Sequence, residues 1–173
     1  VVGNVGRFEI QKNQRFTVEV FEQLNKVCPD SVLLLIGTGS MQDDIKALAA
    51  EKGLQDSVMF LGNRRDVAEL YQAMDVFLMP SLFEGLPVVG IEAQASGLPC
   101  VFSDTITDEI ILSDRAVRLS LEQPDEAWAK ELIRLGTADR DRAEGRSVVR
   151  SAGYDIVEET KRLQEIYVSL IEK

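Results

Sequence analysis

Short apolar runs alternate along the chain with stretches of helical periodicity. The run from Val32 to Ile36 is continuously apolar rather than alternating, which is usual for a strand covered on both faces. Strand-length runs that alternate with amphipathic helices are typical of βαβ units and a parallel sheet. The pattern therefore predicts an α/β fold with a parallel sheet of about six strands and helices on both faces.

Connections between the predicted elements are short, and residues 1–173 are predicted to form one domain. Asp66 and Glu69 have the spacing of a capping box at the start of the third helix. The region from about 124 to 171 is predicted to be helical, apart from a polar, turn-rich stretch at about 138–147. Strands are expected at Val1–Val5, Ser31–Ile36, Val58–Leu61, Val76–Met79, Cys100–Phe102 and Val117–Leu119, and helices at Gln14–Val27, Met41–Lys52, Asp66–Met74, Pro87–Ser96, Pro124–Leu135 and Asp155–Ile171.

Charge and composition exclude several classes of function. The formal net charge of -10 argues against a nucleic-acid partner, since that binding draws its affinity from clustered Lys and Arg. The chain has no histidine, so neither a Ser-His-Asp nor a Cys-His arrangement can be complete within it. Cys28 and Cys100 lack the spacing of a disulfide scaffold or a zinc module. No run approaches the roughly 18 apolar residues of a membrane span, so a soluble, cytosolic domain is expected.

Two acidic residues stand out in the segment from 76 to 102, which carries no other charge. Glu84 lies in the loop after the fourth predicted strand, and Glu92 lies within the following helix, whose other residues are uncharged. So apolar a helix is expected to be buried, and a buried carboxylate needs hydrogen-bond donors. Glu92 therefore either caps a neighbouring backbone or pairs with an arginine, or it binds hydroxyl groups of a ligand.

Further candidate groups follow the strands, where open α/β sheets bind their ligands. Pro87 suits the first turn of its helix, whose unpaired N–H groups and dipole attract an anion such as phosphate. Arg7 and Lys12 flank the loop after the first strand and can converge on one polyanion. Gly37-Thr38-Gly39 also ends a strand, but Gln42 stands where the dinucleotide fingerprint needs its third glycine.

Four segments together match the motifs of a known family. They are Val5-Gly6-Arg7 with Lys12-Asn13, Leu35-Ile36-Gly37-Thr38-Gly39, Val58-Met59-Phe60-Leu61-Gly62, and Pro80-Ser81-x-x-Glu84-Gly85-Leu86-Pro87-x-x-x-x-Glu92 with its E-x7-E pair. From Val1 to about Glu109 the chain resembles the carboxy-terminal domain of the GT-B retaining glycosyltransferases, family four (group 1), which is one Rossmann-like half of the GT-B fold. The stretch from Ala93 to Thr105 is, more narrowly, similar to bacterial capsular or exopolysaccharide glycosyltransferases. One departure is Leu86-Pro87, where many members have an aromatic residue followed by glycine.

The resemblance implies a role for each candidate residue. Arg7 and Lys12 would hold the diphosphate of a nucleotide-sugar donor and stabilise the departing nucleoside diphosphate. Glu84 would hydrogen-bond the hydroxyls of the donor sugar, and Glu92 would hydrogen-bond those of the ribose. The remaining substrate contacts would come from Gly6 beside Arg7, Gly39 on the phosphate side, Asn63 and Arg64 near the base, and Gly85, Leu86, Pro87 and Val88 facing the sugar and phosphate.

The resemblance also implies partners and a setting. The donor would be a nucleotide sugar, with uridine diphosphate as the expected nucleotide, and neither a cofactor nor a metal ion would be needed. A glycan or lipid-linked acceptor of cell-surface polysaccharide synthesis would bind mainly to an amino-terminal domain absent from this chain. The full-length protein would be cytoplasmic with peripheral membrane association, and this chain alone would transfer no sugar. Two alternatives stay open: a GT-B sugar-nucleotide epimerase and a non-catalytic nucleotide-binding module.

Overall fold

The sheet of the computed structural model contains six parallel strands. They are β1 (Val2–Val5), β2 (Leu33–Ile36), β3 (Val58–Gly62), β4 (Val76–Met79), β5 (Cys100–Ser103) and β6 (Ala116–Leu119). Their order across the sheet is β3-β2-β1-β4-β5-β6, which confirms the predicted Rossmann-like α/β fold class. The structure describes residues 1–138 and 141–171; residues 139 and 140 of the predicted turn-rich stretch, and 172 and 173 at the end of the predicted domain, lie outside the described residues.

Seven α-helices are formed by the described residues, and six of them agree with the predicted ones to within one residue at each end. The predicted turn-rich stretch is wrong near its end, because an additional helix, which was not predicted, begins at Gly145. Gly145 lies against the end of the fourth helix, where an added Cβ would stand 2.4 Å from the amide nitrogen of Gly97. The helices are α1 (Gln14–Val27), α2 (Gln42–Glu51), α3 (Val67–Ala73), α4 (Val88–Ala95), α5 (Asp125–Gly136), α6 (Gly145–Ser151) and α7 (Ile156–Ile171).

Both faces of the sheet are covered, as the apolar run in β2 predicts. Leu33 and Leu35 point into one core, which they share with α1, α2 and α5. Leu34 and Ile36 point into the other core, which also contains Tyr71 of α3 and others from α4. Alternate side chains of the strand therefore serve opposite cores, and a continuous apolar sequence satisfies both.

A crevice opens where β1 and β4 diverge. The two strands pair only through Val2 and Gly3 of β1, and the ladder stops at the next residue. There Asn4 is buried, and its side-chain Nδ2 donates to the carbonyl of Leu78 at 2.8 Å. The strand order reverses direction between these two strands, and such a switch point is where doubly wound sheets bind ligands. A ligand is therefore expected to bind between the loops that follow β1 and β4.

The last helix lies apart from the cores. None of the residues of α7 is buried, and its exposed apolar side chains include Ile156, Leu163, Tyr167 and Leu170. Among the described residues, no helix combines the length and the apolar character that crossing a bilayer requires.

Candidate functional site

Two loops at the carboxyl edge of the sheet hold each other. A single 3₁₀ turn at Ile10–Lys12 follows β1, and Asn13 after it adopts the left-handed conformation with φ 54°. The Nδ2 atom of Asn13 donates to the carbonyl of Pro80 at 3.0 Å. Gln11 donates from Nε2 to the carbonyl of Phe83 at 2.9 Å, and its own carbonyl accepts from the amide of Leu82 at 2.8 Å. The loop after β1 is therefore joined to the loop after β4 at three points.

A charged pair lies within this junction. The Nζ atom of Lys12 is 2.5 Å from Oε1 of Glu84, and the two side chains are only 17% and 10% exposed. The stem of Lys12 lies along Gly6, where an added Cβ would stand 3.3 Å from Cδ of the lysine. Two residues that the sequence assigns to one substrate, 72 positions apart in the chain, are thus neighbours across the crevice.

The loop that carries Glu84 is also held from its other side. The carbonyl of Ser81 accepts from the hydroxyl of Ser103 at 2.5 Å and from that of Thr105 at 2.8 Å. Glu84 itself forms an isolated backbone bridge with Ile106. The roles of Ser103 and Thr105 in holding this loop were not predicted, although hydroxyl residues directly after a strand are a visible signal for such contacts.

Arg7 stands at the mouth of the crevice. Its side chain is exposed and makes no hydrogen bond or ion pair with the residues that the structure describes, while its carbonyl accepts from Gln14 at 2.8 Å. Close backbone packing explains Gly39, because an added Cβ there would stand 2.4 Å from the carbonyl oxygen of Phe8. The loops after β1 and β2 therefore touch, and the guanidinium of Arg7 is left available to an anion.

The start of α4 faces open space. Pro87 has an extended backbone and is the residue before the helix, one position earlier than the first-turn place predicted for it. Gly85 has no atom within 4 Å of where its Cβ would stand, and Val88 is 64% exposed. The first N–H groups of a helix lack acceptors within it, and here they begin beside the loop of Glu84.

Glu92 is exposed, and the prediction of a buried carboxylate is wrong. Gly90, Ala93 and Gln94 form the buried side of α4, and a helix with one buried side leaves the other in solvent. Gly90 is in tight packing, since an added Cβ would stand 2.9 Å from atoms of Ile110 and Phe102.

A groove between α3 and α4 contains the carboxylate of Glu92 and is also lined by Arg65, Tyr71 and Ser96. The hydroxyl of Tyr71 lies 3.3 Å from Oε2 of Glu92. Among the described residues, Glu92 therefore accepts from a tyrosine hydroxyl, and neither of the two structural roles considered for it, a backbone cap or an ion pair with arginine, is observed.

Comparison with known proteins supplies the family. The chain matches the family described as Glycosyl transferases group 1 over residues 1–137. The chain belongs to the group 1 glycosyl transferases. It is 38% identical over its full length to EpsF of Bacillus subtilis, which is named as a glycosyltransferase, and covers 46% of that protein. It is 29% identical over 96% of its length to an Escherichia coli enzyme named UDP-Gal:alpha-D-GlcNAc-diphosphoundecaprenol alpha-1,3-galactosyltransferase, and covers 45% of it.

Solved structures agree on the fold. HepE of Anabaena in complex with UDP superimposes with a TM-score of 0.80 at 21% identity, over 97% of this chain and 48% of that one. The pneumococcal O-GlcNAc transferase GtfA in complex with UDP and GlcNAc gives 0.84 at 17% identity, over 99% and 36%. The resemblance to the group 1 glycosyltransferases of the GT-B fold is confirmed. The chain spans less than half the length of the two relatives and these two structures.

In this group 1 chain, the charged side chains Arg64 and Asp66 of the loop after β3 pair with each other. Asn63 and Arg64 are exposed, and Arg64 donates from Nε and Nη2 to Asp66 at 2.8 and 2.5 Å. This pair lowers the pKa of Asp66 through the hydrogen bond from the guanidinium. The predicted capping box is wrong, since Asp66 makes no side-chain bond to the helix backbone and binds Arg64 instead. The contact of Asn63 and Arg64 with a base remains a prediction.

The cysteines form no disulfide in the part of the chain that the structure describes. Both cysteines are unpaired, and burial raises the pKa of the Cys100 thiol, which keeps it protonated. Within residues 1–138 and 141–171, no three His, Cys, Asp or Glu side chains are grouped so as to hold a metal ion. The charged groups at the crevice include Arg7, Lys12 and Glu84, and Glu92 lies in the adjoining groove.

Proposed function

We propose that this chain is the donor-binding domain of a retaining glycosyltransferase and that it binds a nucleotide sugar in the crevice between β1 and β4. The observation that carries the proposal is the 2.5 Å contact between Lys12 and Glu84. A nucleotide sugar presents a diphosphate directly beside sugar hydroxyls. A cation for the first and a carboxylate for the second must therefore stand side by side, as these two residues do.

Leaving-group stabilisation is the main catalytic task of the crevice. When the sugar departs, negative charge grows on the terminal phosphate of the nucleoside diphosphate. Lys12, Arg7 and the first amides of α4, at Val88 and its neighbours, would take up that charge. Gly85 and Leu86 leave the start of the helix open, so the phosphate can approach the amides closely.

Three loops and one helix make the remaining contacts, each with a different part of the donor. Glu84 accepts hydrogen bonds from the donor sugar, and Glu92 accepts them from the ribose. Asn63 and Arg64 meet the base, mainly through their backbone, because the arginine side chain is already engaged with Asp66. Gly6 and Gly39 let the loops after β1 and β2 close around the phosphates.

Uridine is the proposed base, and a glycan or lipid-linked sugar is the proposed acceptor. Two fold neighbours are described in complex with UDP, and the Escherichia coli relative carries UDP-Gal and a diphosphoundecaprenol-linked acceptor in its name. A further relative, 33% identical over 58% of this chain, is named as a Vi polysaccharide biosynthesis protein. These names support a role in cell-surface polysaccharide synthesis. The proposed location is the cytoplasm and, for a longer protein, the membrane surface.

A second domain would provide the acceptor site and the opposite wall of the cleft. Without that wall, water reaches the phosphates and screens the charges of Arg7 and Lys12. Acceptor positioning, which supplies a large part of the rate enhancement in bimolecular transfer, is also missing. We therefore expect the 173-residue chain to bind the donor but to transfer no sugar by itself.

Calorimetric titration of the chain with UDP, ADP, GDP and a set of UDP-sugars tests the proposal. We expect UDP to bind more tightly than the other nucleotides and to lose affinity in Arg7→Ala, while Lys161→Ala on α7 serves as the control. Equal binding of all three nucleotides would contradict the choice of uridine, and binding of none of them would contradict a donor site. Conversion of UDP-GlcNAc to its epimer would favour the epimerase, and acceptor-dependent transfer by the chain alone would contradict the need for a second domain.

A further inference from the structure

Tyr71 of α3 lies under the carboxylate of Glu92. The tyrosine is 1% exposed, whereas Glu92 lies on the open side of α4. The tyrosine hydroxyl is 3.3 Å from Oε2 of Glu92 and 3.2 Å from the carbonyl oxygen of Val89, one turn earlier in the same helix. The ring of Tyr71 is thus buried, and only its hydroxyl oxygen lies at the surface. There it faces one oxygen of the Glu92 carboxylate.

The ring of Tyr71 is fixed independently of Glu92. It meets the ring of Phe77 edge-on, with centroids 6.0 Å apart and an interplanar angle of 75°. Its backbone carbonyl accepts from Nη1 of Arg142 at 3.0 Å, and the same guanidinium donates to the carbonyl of Met74. Because packing and backbone contacts hold the ring, the hydroxyl is a fixed point toward which the exposed glutamate side chain can turn.

The hydroxyl also keeps its proton. Burial, reinforced by the charge of Glu92, raises the pKa of Tyr71 well above its ordinary value. The hydroxyl is therefore a hydrogen-bond donor at acidic, neutral and mildly alkaline pH. It has one proton for two acceptors, and the carboxylate is the stronger acceptor because it carries charge.

We propose that Tyr71 is the positioning residue for Glu92 in nucleotide binding. Its hydroxyl holds Oε2 of the carboxylate, which leaves Oε1 to accept from the ribose hydroxyls of the bound nucleotide. The inference rests on the proposed function, in which Glu92 binds the ribose. An exposed glutamate has several rotamers, and fixing one of them before the ligand arrives reduces the entropy lost on binding.

Tyr71→Phe removes the hydroxyl and keeps the ring, and two nucleotides separate its effects. UDP offers two ribose hydroxyls, whereas dideoxyuridine diphosphate offers none. We expect Tyr71→Phe to weaken UDP binding about threefold to tenfold, the effect of one hydrogen bond, and to leave the dideoxy affinity unchanged. Tyr167→Phe, on the exposed α7, is the matched control and should change neither value.

A double-mutant cycle completes the test. In the Glu92→Ala background, where residue 92 has no side-chain acceptor, Tyr71→Phe should no longer change the affinity for UDP, whereas a purely structural tyrosine would have the same effect in both backgrounds. Equal losses for both nucleotides, or no loss for either, would overturn the inference and leave the proposed function standing. A parent chain that binds UDP no better than its dideoxy analogue would remove the ribose role of Glu92, and a chain that binds neither would contradict the proposed function as well.

Discussion

The carboxyl edge of the sheet has a closed part and an open part. The closed part, which we term the crevice loops, consists of residues 6–13 after β1 and 80–87 after β4. The crevice loops share three hydrogen bonds and the Lys12–Glu84 pair, and Ser103 and Thr105 also hold the loop after β4 through the carbonyl of Ser81. The open part, residues 63–66 after β3, is mostly exposed and has one side-chain pair, between Arg64 and Asp66.

This difference parallels the chemistry proposed for each part. Charge changes during sugar transfer occur at the phosphate and the sugar, and groups that stabilise such changes work best when they are already in place. The base undergoes no change in the reaction, so its loop needs only to offer backbone groups. In this edge of the sheet, the more ordered loops are thus the ones at which the proposed reaction would change charge.

The largest effect is expected from Lys12→Ala. Loss of a charge-assisted contact to the diphosphate should weaken UDP binding about tenfold to hundredfold, as measured by calorimetry. The variant should also lower the melting temperature, because Glu84 is left with a nearly buried, unpaired charge. Lys161→Ala should change neither quantity. UDP affinity within twofold of the parent would show that the crevice loops are ordered for a purpose other than phosphate binding.

Asn13 tests the junction without removing a charge. Asn13→Gly keeps the left-handed conformation but loses the bond to Pro80, and should lower the free energy of unfolding by about 1 kcal/mol. Asn13→Ala should cost about 2 kcal/mol, because alanine also lacks the polar side chain that lets asparagine adopt the left-handed conformation at φ 54°. Denaturant unfolding measures both. Asn63→Ala in the open loop should be neutral, and an equal cost there would abolish the contrast between the two parts.

Much of this edge could be predicted from sequence, because its signals are local. Strand and helix positions follow from apolar periodicity, and Glu84 and Lys12 stand out as charges in unusual surroundings. The contact between them could not be derived from spacing, since it depends on how far β1 and β4 diverge, beyond the point where buried Asn4 bridges to the carbonyl of Leu78. The exposure of Glu92 was missed because an apolar helix sequence does not reveal that one of its sides faces an open groove.

Two predictions were wrong for a related reason: the capping box at Asp66, and the turn-rich stretch in which α6 forms instead. Asp66 has the right spacing for a cap, but a guanidinium two residues away is a stronger donor than the helix amides. Helix α6 depends on Gly145 packing against Gly97, a contact between residues 48 positions apart that no local pattern shows. Competition between partners, and contacts distant in sequence, thus account for these errors.

A smaller effect of unusual sign is expected from Glu84→Gln. The amide can still accept from Lys12, but the negative charge beside the diphosphate is gone. UDP alone should therefore bind about twofold to fivefold more tightly, while the added affinity of a UDP-sugar over UDP should fall. Competition titrations measure both ratios, and Glu51→Gln, on the exposed end of α2, is the control. Weaker binding of UDP itself would show that Glu84 serves the nucleotide and not the sugar.

The smallest effect is expected from Arg64→Ala in the open loop. The arginine lowers the pKa of Asp66 from its ordinary value of 3.8, so the variant should return that pKa upward, as followed by NMR titration. Since the folded pKa is the lower one, the pair stabilises the fold above about pH 4, and its contribution disappears as the pH falls through the folded pKa. Both groups are exposed, so the difference in melting temperature should be small at neutral pH and absent in acid.

The nucleotide affinity of Arg64→Ala decides how far the contrast extends. If backbone groups of the open loop meet the base, UDP should bind within about twofold of the parent, because the side chain is engaged with Asp66 and contributes little to binding. A tenfold loss confined to UDP, with ADP and GDP unaffected, would instead mean that the guanidinium leaves Asp66 to contact the base. In that case the base loop would be ordered by the ligand, whereas the crevice loops are ordered before it arrives.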